Sequence, residues 1–209
     1  MNKQDAIGIT GTLSKPGKMP CYAISIPASE CNVGSKLVSV PGSVCFGCYA
    51  LKGNYRFGNV KSAMQRRLDG ITHDKWVDAM VFLIDDTGDD YFRWHDSGDI
   101  QSLQHLDRIC QVARRTPNVR HWIPTREYAI VKQYKQSHEI YGIKIPENLV
   151  IRLSAHMVDG AAPTGYGLPT STVTRNGKRT CPAPDQGNKC LDCRACWDPK
   201  VSNVAYGYH

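Results

Sequence analysis

The chain has 209 residues, of which 41% are hydrophobic and 22% charged, and these proportions predict a globular protein large enough for a sizeable core. No apolar run reaches the roughly 20 residues of a membrane span, and the polar N-terminus lacks the apolar stretch of a signal peptide, so we expect no membrane association and a cytoplasmic protein. The net charge of +7 suits an anionic partner, although the basic residues are spread along the chain.

The first part of the chain, residues 1–58, is predicted to be an irregular cysteine-rich segment. It is rich in Gly, Pro and Ser, contains four cysteines and shows little helical periodicity. A short strand is predicted over residues 23–27. We interpret residues 1–58 as an extension of the core that follows, within a single domain covering residues 1–209.

Residues 59–155 are predicted to form an α/β core. Apolar spacing and a Ser102 N-cap predict helices over 60–68, 74–85, 103–113 and 126–137, and short apolar runs predict strands over 91–94, 119–123 and 149–153. This alternation predicts parallel strands with right-handed crossovers, curling into an open or partial (β/α) barrel.

The last part of the chain, residues 156–209, is predicted to be a loop followed by a second cysteine cluster. Residues 155–180 are rich in Gly, Pro and Thr and are predicted to be one long loop. Four cysteines follow in the pattern C-x8-C-x2-C-x2-C, namely Cys181, Cys190, Cys193 and Cys196.

These C-terminal cysteines predict a metal site. The C-x2-C-x2-C spacing is the core pattern of bacterial ferredoxins, and Cys181 with Pro182 adds a fourth thiolate, so a closed [4Fe–4S] site is expected. Tetrahedral zinc remains an alternative because it also takes four cysteines. A disulfide framework is disfavoured by the odd total of nine cysteines and by the absence of a signal peptide.

The N-terminal cysteines predict a second cluster. Cys45 and Cys48 form a C-x2-C knuckle with Gly47 inside, and Cys31 is the best third ligand. With three cysteines, one iron of a [4Fe–4S] cluster keeps an open position; with Cys21 as a fourth, the site is closed. Cys110 has the spacing of a core residue on the helix after Ser102.

Each predicted core strand ends in a cluster of polar residues, and ligands of parallel α/β folds bind at that end of the strands. The clusters therefore predict a binding pocket, with Asp96 or Asp99 for an amine or ribose hydroxyl, Arg126 or Arg152 for a carboxylate or phosphate, and His95 or His156 for proton transfer. The catalytic candidates are His95, Asp96, Asp99, Arg126 and Glu127.

Several segments together resemble a cysteine-rich family of bacteriophage gene products, over nearly the whole chain. The resemblance implies a phage protein acting in the infected host cell and implies no particular activity. The segments are 17–20, 40–53, 92–99 and 190–197.

A looser resemblance is to radical SAM enzymes, which hold a three-cysteine [4Fe–4S] cluster before the first crossover of a partial (β/α) barrel. It implies S-adenosylmethionine as a cofactor. The residues that it assigns to the cofactor are Tyr49 beside the last cysteine, Ser97 and Gly98 after a strand, and Arg152 and Ser154 late in the sheet. The spacing departs from the usual C-x3-C-x2-C, since thirteen residues separate Cys31 from Cys45.

Together these features favour an iron–sulfur enzyme with one or two [4Fe–4S] clusters, carrying out radical SAM-like modification or cluster-assisted sulfur chemistry on a small molecule, a nucleotide or a nucleic acid. Two alternatives stay open: a zinc-knuckle protein that binds nucleic acid, and an iron–sulfur protein for electron transfer or redox sensing.

Overall fold

The computed structural model describes residues 1–208, without the side chains of residues 138 and 139. Six α-helices surround one sheet, joined by short 3-10 turns. The helices are α1 (Lys3–Thr10), α2 (Gly34–Leu37), α3 (Gly58–Gly70), α4 (Trp76–Thr87), α5 (Leu103–Arg115) and α6 (Tyr128–Ile140).

The sheet contains six strands in sequential order, and every neighbouring pair is parallel. Parallel strands in sequential order, with helices in the first crossovers, form an open, partial barrel, which confirms the predicted fold class. The strands are β1 (Tyr22–Ile24), β2 (Tyr91–Trp94), β3 (Arg120–Thr125), β4 (Leu149–Ser154), β5 (Thr170–Thr174) and β6 (Asn203–Gly207).

Local sequence signals set the ends of the helices. The Ser102 hydroxyl accepts a hydrogen bond of 3.1 Å from the backbone N–H of His105, which caps α5 as predicted. Gly88 ends α4 with a φ of 65°, a conformation that glycine adopts without steric cost. Buried residues repeat at helical spacing along both helices, so each presents one apolar face to the sheet.

Side chains alternate between the two faces of the sheet. On the outer face Phe92, Trp94, Ile123 and Ile151 pack with α4, α5 and α6 in the main apolar core. On the inner face Trp122 packs instead with Trp197 from the C-terminal segment. The concave side of the barrel is therefore filled by the chain's own C-terminal segment and not by a further helix.

The core elements of the sequence prediction are confirmed to within a few residues, and four further helices and strands were not predicted, namely α1, α2, β5 and β6. Helix α1 begins at Lys3 through an Asn2–Asp5 capping box. Strand β5 lies inside residues 155–180, so the prediction of one uninterrupted loop there is wrong. Strand β6 follows the last cysteine and forms the final edge strand of the sheet. Threonine-rich β5 is half-buried and has no apolar run, which explains why its composition resembled a loop.

Among the described residues, no helix is long and apolar enough to cross a membrane.

Buried His121 makes the stability of the fold depend on pH. The indole N–H of Trp94 donates to His121 Nδ1 over 3.2 Å, and His121 Nε2 lies 2.8 Å from the Thr116 hydroxyl. Because an indole nitrogen only donates, Nδ1 must be unprotonated. Burial lowers the pKa of His121 from 6.5 to about 3.

A histidine whose pKa is lowered on folding stabilises the protein fully above its unfolded pKa and progressively less as the pH falls below it. Between about pH 6 and pH 4 we expect the free energy of unfolding of the wild type to fall by up to about 1.4 kcal/mol per pH unit more than that of His121→Gln. Urea unfolding followed by circular dichroism at several pH values measures this; equal slopes would refute it.

Candidate functional site

The predicted N-terminal cluster ligands lie in a loop that crosses the carboxyl edge of the sheet. This N-terminal cysteine loop, residues 25–57, leaves the end of β1 and returns into α3. Two backbone hydrogen bonds attach it to the chain after β4: Val44 N–H donates to the His156 carbonyl over 2.8 Å, and Val158 N–H donates to the Gly42 carbonyl over 2.9 Å. The loop therefore extends over the strand ends from β1 to β4.

Glu127 fixes the loop next to its first cysteine. One carboxylate oxygen of Glu127, which follows β3, accepts a hydrogen bond of 2.9 Å from the backbone N–H of Val33. Burial raises the pKa of Glu127, and this hydrogen bond opposes the rise. The side chain is only 4% exposed, so the structure gives Glu127 a positioning role for the loop.

The thiols of Cys31 and Cys45 lie side by side against Gly34. A Cβ atom built on Gly34 would lie 3.5 Å from the sulfur of Cys31 and 3.7 Å from that of Cys45. Burial raises the pKa of both thiols, and the negative charge of Asp99 and the neighbouring Cys48 add to the rise. The two thiols thus flank the same backbone position, Gly34, where an added Cβ would meet the Cys31 Cβ at 3.0 Å and both sulfurs at ordinary contact distance.

Cys21 belongs to the other cysteine group. It precedes β1, at the amino edge of the sheet, and packs in one apolar cluster with Trp122, Trp197 and Cys196. Burial raises the pKa of Cys21 to about 12, with contributions from Asp89 and Cys190. Since all nine cysteines lie in the described residues, the loop at the carboxyl edge contains three: Cys31, Cys45 and Cys48.

The C-terminal cysteine segment, residues 181–198, lies against the inner face of the sheet. Cys190 N–H donates to the Lys18 carbonyl over 3.0 Å, and the indole N–H of Trp197 donates to the Phe92 carbonyl over 3.0 Å. The sulfur of Cys196 lies 3.1 Å from the Tyr206 hydroxyl on β6. The pKa of Cys196 is raised to about 11, mainly by burial.

The four C-terminal thiols lie within electrostatic range of one another. Burial raises the pKa of Cys190, and the charges of Cys181 and Cys193 add to it. Cys181 and Cys190 act in the same direction on Cys196. Each of the nine cysteines is a free thiol, and among the described residues no group of three or more His, Cys, Asp or Glu side chains has the arrangement of a site for a metal ion.

Asp99 joins the ends of β2 and β3. Its carboxylate accepts hydrogen bonds from the Thr125 hydroxyl at 2.6 Å, the Arg126 N–H at 2.9 Å and the Ile100 N–H at 2.8 Å. Burial raises the pKa of Asp99, and these donors oppose the rise. Asp99 is 5% exposed and makes its hydrogen bonds within the protein, beside the Cys31 thiol.

Ser97 and Gly98 are pressed against the end of β1. The Ser97 hydroxyl donates to the Ile26 carbonyl over 3.0 Å, and Ile26 N–H donates to the Ser97 carbonyl over 3.0 Å. Gly98 has a φ of 87°, and a Cβ there would lie 2.2 Å from Ile26 Cγ1. Only glycine is compatible with this backbone and this contact.

Asp96 lies beneath two tyrosines of the N-terminal cysteine loop. The Tyr49 hydroxyl donates to the Asp96 carbonyl, and the Tyr55 hydroxyl donates to Asp96 Oδ2 over 3.2 Å. Burial raises the pKa of Asp96, while the charge of Arg93 opposes the rise. Tyr55 was not predicted, because nothing in its sequence context distinguishes it from a surface tyrosine.

Arg93 lies between the tyrosines of the N-terminal cysteine loop and the C-terminal cysteine segment. It points from the middle of β2 into the barrel, 4.9 Å from the ring centre of Trp122. Its charge interacts with Tyr49 and Asp96 toward the carboxyl edge, and with Tyr206 and Cys196 toward the C-terminal segment. Arg93 and Tyr206 are site residues that the sequence prediction did not assign.

Arg126 is a basic group close enough to Cys45 to act on its thiol electrostatically. Its Nε donates to the Ala155 carbonyl over 3.3 Å, and its positive charge lowers the pKa of Cys45 against the effect of burial. His156 Nε2 lies 3.4 Å from the Arg126 carbonyl, and the His156 ring stacks on Tyr128 with ring centres 4.4 Å apart. Arg126 and His156 therefore lie at the predicted edge.

His95 lies away from the strand-end surface. It is 3% exposed and has a φ of 57°, and its ring packs 5.2 Å from the His105 ring on α5. Burial lowers the pKa of His95 to about 3, so the ring is neutral at physiological pH. This position on the helix side of the sheet does not favour the predicted role in proton transfer.

Arg152 holds the C-terminal segment and does not reach the strand-end surface. Its guanidinium donates to four backbone carbonyls at 2.9–3.1 Å, those of Thr170, Val201, Ala195 and Asp198. Ser154 accepts a hydrogen bond of 2.9 Å from the Ser171 hydroxyl. Both side chains are thus engaged within the sheet and its C-terminal lining.

Two surface depressions lie elsewhere, among α1, α4 and α5. One has a volume of about 590 Å³ and is lined by residues that include Met1, Ile9 and Phe82; the other, of about 350 Å³, is lined mainly by polar residues of α4 and α5. Neither includes a residue of the strand-end clusters.

Comparison with known proteins gives one match. The family model described as Gene product 88 matches residues 2–199, in agreement with the resemblance to a family of phage gene products. No curated protein matches the chain. No solved structure matches it either.

Proposed function

The chain belongs to the Gene product 88 family, and we propose that it is an iron–sulfur enzyme with its reactive centre at the N-terminal cysteine loop. In this proposal Cys31, Cys45 and Cys48 hold a [4Fe–4S] cluster that has one iron without a cysteine ligand. The four C-terminal cysteines hold a second, fully ligated cluster.

The observation that carries the proposal is the separation of eight of the nine cysteines into a group of three and a group of five, while Cys110 lies in the apolar core. The group of three lies at the carboxyl edge of the parallel strands, where α/β folds bind their ligands. Cys21, the only other cysteine of the N-terminal region, lies at the opposite edge beside Cys190. A three-thiolate set at the binding edge suits a cluster that also takes a ligand.

The donor set fits a cluster chemically. Thiolates are the usual ligands of iron–sulfur clusters, and the raised pKa of the Cys31 and Cys45 thiols means that metal binding must displace their protons. Both thiols lie next to Gly34, and Arg126 provides a positive charge beside Cys45. These features support a negatively charged cluster in the loop.

S-adenosylmethionine is the cofactor that we propose, and a reduced cluster held by Cys31, Cys45 and Cys48 would supply the single electron for its cleavage. The residues that we propose to surround this cofactor are Asp96 with Tyr49 and Tyr55, and Arg126. Asp99, Ser97 and Gly98 fix the strand-end backbone, and Glu127 fixes the loop.

The proposed activity is tested with anaerobically purified protein, dithionite and S-adenosylmethionine. We expect cleavage to methionine and 5′-deoxyadenosine, measured by mass spectrometry, and no cleavage by Cys45→Ala. Clusters that form without any cleavage or spectral response to S-adenosylmethionine would contradict the radical SAM assignment and favour electron transfer.

A further inference from the structure

We propose that the outer surface around the N-terminal cysteine loop binds single-stranded nucleic acid and so brings the substrate to the cluster. The delivery of a substrate to the cluster rests on the proposed function. The binding of nucleic acid rests on separate observations, which concern the charge, the exposed aromatic rings and the buried acidic side chains of one surface.

This region has basic residues and no acidic residue to offset them. Residues 31–68 contain six basic residues and no Asp or Glu, against a net charge of +7 for the whole chain. One of the six, Arg67, is buried and donates to Thr12 and Ser25. The other five are exposed, and we call them the basic set: Lys36, Lys52, Arg56, Lys61 and Arg66.

Exposed aromatic rings lie among these charges. Phe46, Tyr49 and Phe57 are 48%, 61% and 59% exposed, and all three lie within twelve positions of the two knuckle cysteines. The Tyr49 ring contacts the Tyr55 ring edge-on at 5.8 Å, which joins the segments before and after Lys52. Exposed apolar rings gathered in one region of the surface are typical of a binding site.

Three of the acidic groups next to this surface are turned inward, whereas Glu30, which precedes Cys31, is exposed. Glu127 and Asp99 are 4% and 5% exposed and accept hydrogen bonds from backbone N–H groups. The carboxylate of Asp96 accepts from the Tyr55 hydroxyl and interacts with Arg93. The surface around the thiols therefore presents mainly positive charge, which attracts phosphates.

Basic groups interleaved with exposed rings are the features that bind single strands, because phosphates contact the charges while unpaired bases stack on the rings. A duplex hides the faces of its bases and would use only the charges. The surface therefore favours a single strand over a duplex and over an acidic protein. Single-stranded DNA and RNA share this chemistry.

The test uses anaerobically purified protein and fluorescein-labelled oligothymidylate and oligouridylate of about 16 nucleotides, with a duplex of equal length. Fluorescence anisotropy is measured over a range of salt concentrations. We expect a single strand to bind more tightly than the duplex. For Lys52→Gln/Arg56→Gln we expect the slope of log K against log salt to become shallower by about 0.7 for each phosphate that the variant no longer neutralises.

For Phe57→Ala we expect about tenfold weaker binding of the single strand, with duplex binding unchanged. The matched controls lie at the amino edge of the sheet: Arg120→Gln/Lys144→Gln for charge and exposed Tyr141→Ala for the ring. Both should bind like the wild type. Comparing the affinity for oligothymidylate with that for oligouridylate shows whether the protein prefers single-stranded DNA or RNA.

Equal binding of duplex and single strand, or equal effects of test and control variants, would overturn the inference, as would absence of binding. The iron content of each preparation separates this result from the function proposed above. Iron-loaded protein that does not bind contradicts this inference alone, whereas iron-free protein that binds through these residues contradicts the iron–sulfur proposal alone.

Discussion

Replacing Cys48 by alanine is expected to remove about half of the iron and all cleavage of S-adenosylmethionine. Cys48 completes the three-thiolate set at the carboxyl edge, and its backbone N–H closes the knuckle by donating to the Cys45 carbonyl over 3.0 Å. Without this thiolate two cysteines remain in the loop, which is too few for a stable cluster. Iron is measured by elemental analysis, and cleavage products by mass spectrometry.

Two other cysteine variants show whether the effect of Cys48→Ala is particular to the N-terminal cluster. Cys110→Ala removes a buried thiol from the apolar core on α5 and should leave iron content and cleavage unchanged. Cys193→Ala should remove the iron of the C-terminal site while the spectral response to S-adenosylmethionine persists. If Cys48→Ala kept its full iron content, the assignment of the N-terminal cluster would be wrong.

Replacing Arg152 by methionine is expected to lower the free energy of unfolding by about 3–5 kcal/mol. The variant keeps much of the side-chain volume but leaves four backbone carbonyls without their donor, including those of Ala195 and Asp198 on either side of Cys196 and Trp197. The C-terminal cysteine segment should therefore detach from the inner face of the sheet. Anaerobic urea unfolding measures the stability, and iron analysis measures the C-terminal cluster.

Arg152→Lys should give an intermediate loss, because a lysine retains the charge but lacks the planar fork that reaches several carbonyls at once. Arg120→Met, at the exposed start of β3, should change the stability by less than about 0.5 kcal/mol. A loss below about 1 kcal/mol for Arg152→Met would contradict the role of Arg152 in holding the segment.

The sequence predicted the central strands well because β2, β3 and β4 are apolar runs between clear helical periods. It did not predict β5 and β6, since β5 consists of threonine, serine and one valine, and such strands are defined by their neighbours in the sheet. Helix α1 was missed because its polar sequence is stabilised by a capping box and by packing on α4.

The sequence predicted which residues lie near the strand ends better than it predicted the directions of their side chains. The polar clusters do lie at the strand ends, but the sequence could not show on which side of the strand each residue points. Alternation along β4 directs Arg152 into the barrel, where the C-terminal segment supplies carbonyls from far along the chain. His95, directly after β2, has a left-handed backbone conformation, and its ring packs against α5. The position of Cys21 with the C-terminal group likewise depends on long-range packing.

The iron–sulfur assignment is decided by the iron and acid-labile sulfide content of anaerobically purified wild-type protein. Two [4Fe–4S] clusters predict about eight iron and about eight sulfide per chain, with the broad visible absorbance of such clusters. Zinc without sulfide would contradict the claim and favour the zinc-knuckle alternative, and protein with neither metal nor sulfide would contradict both.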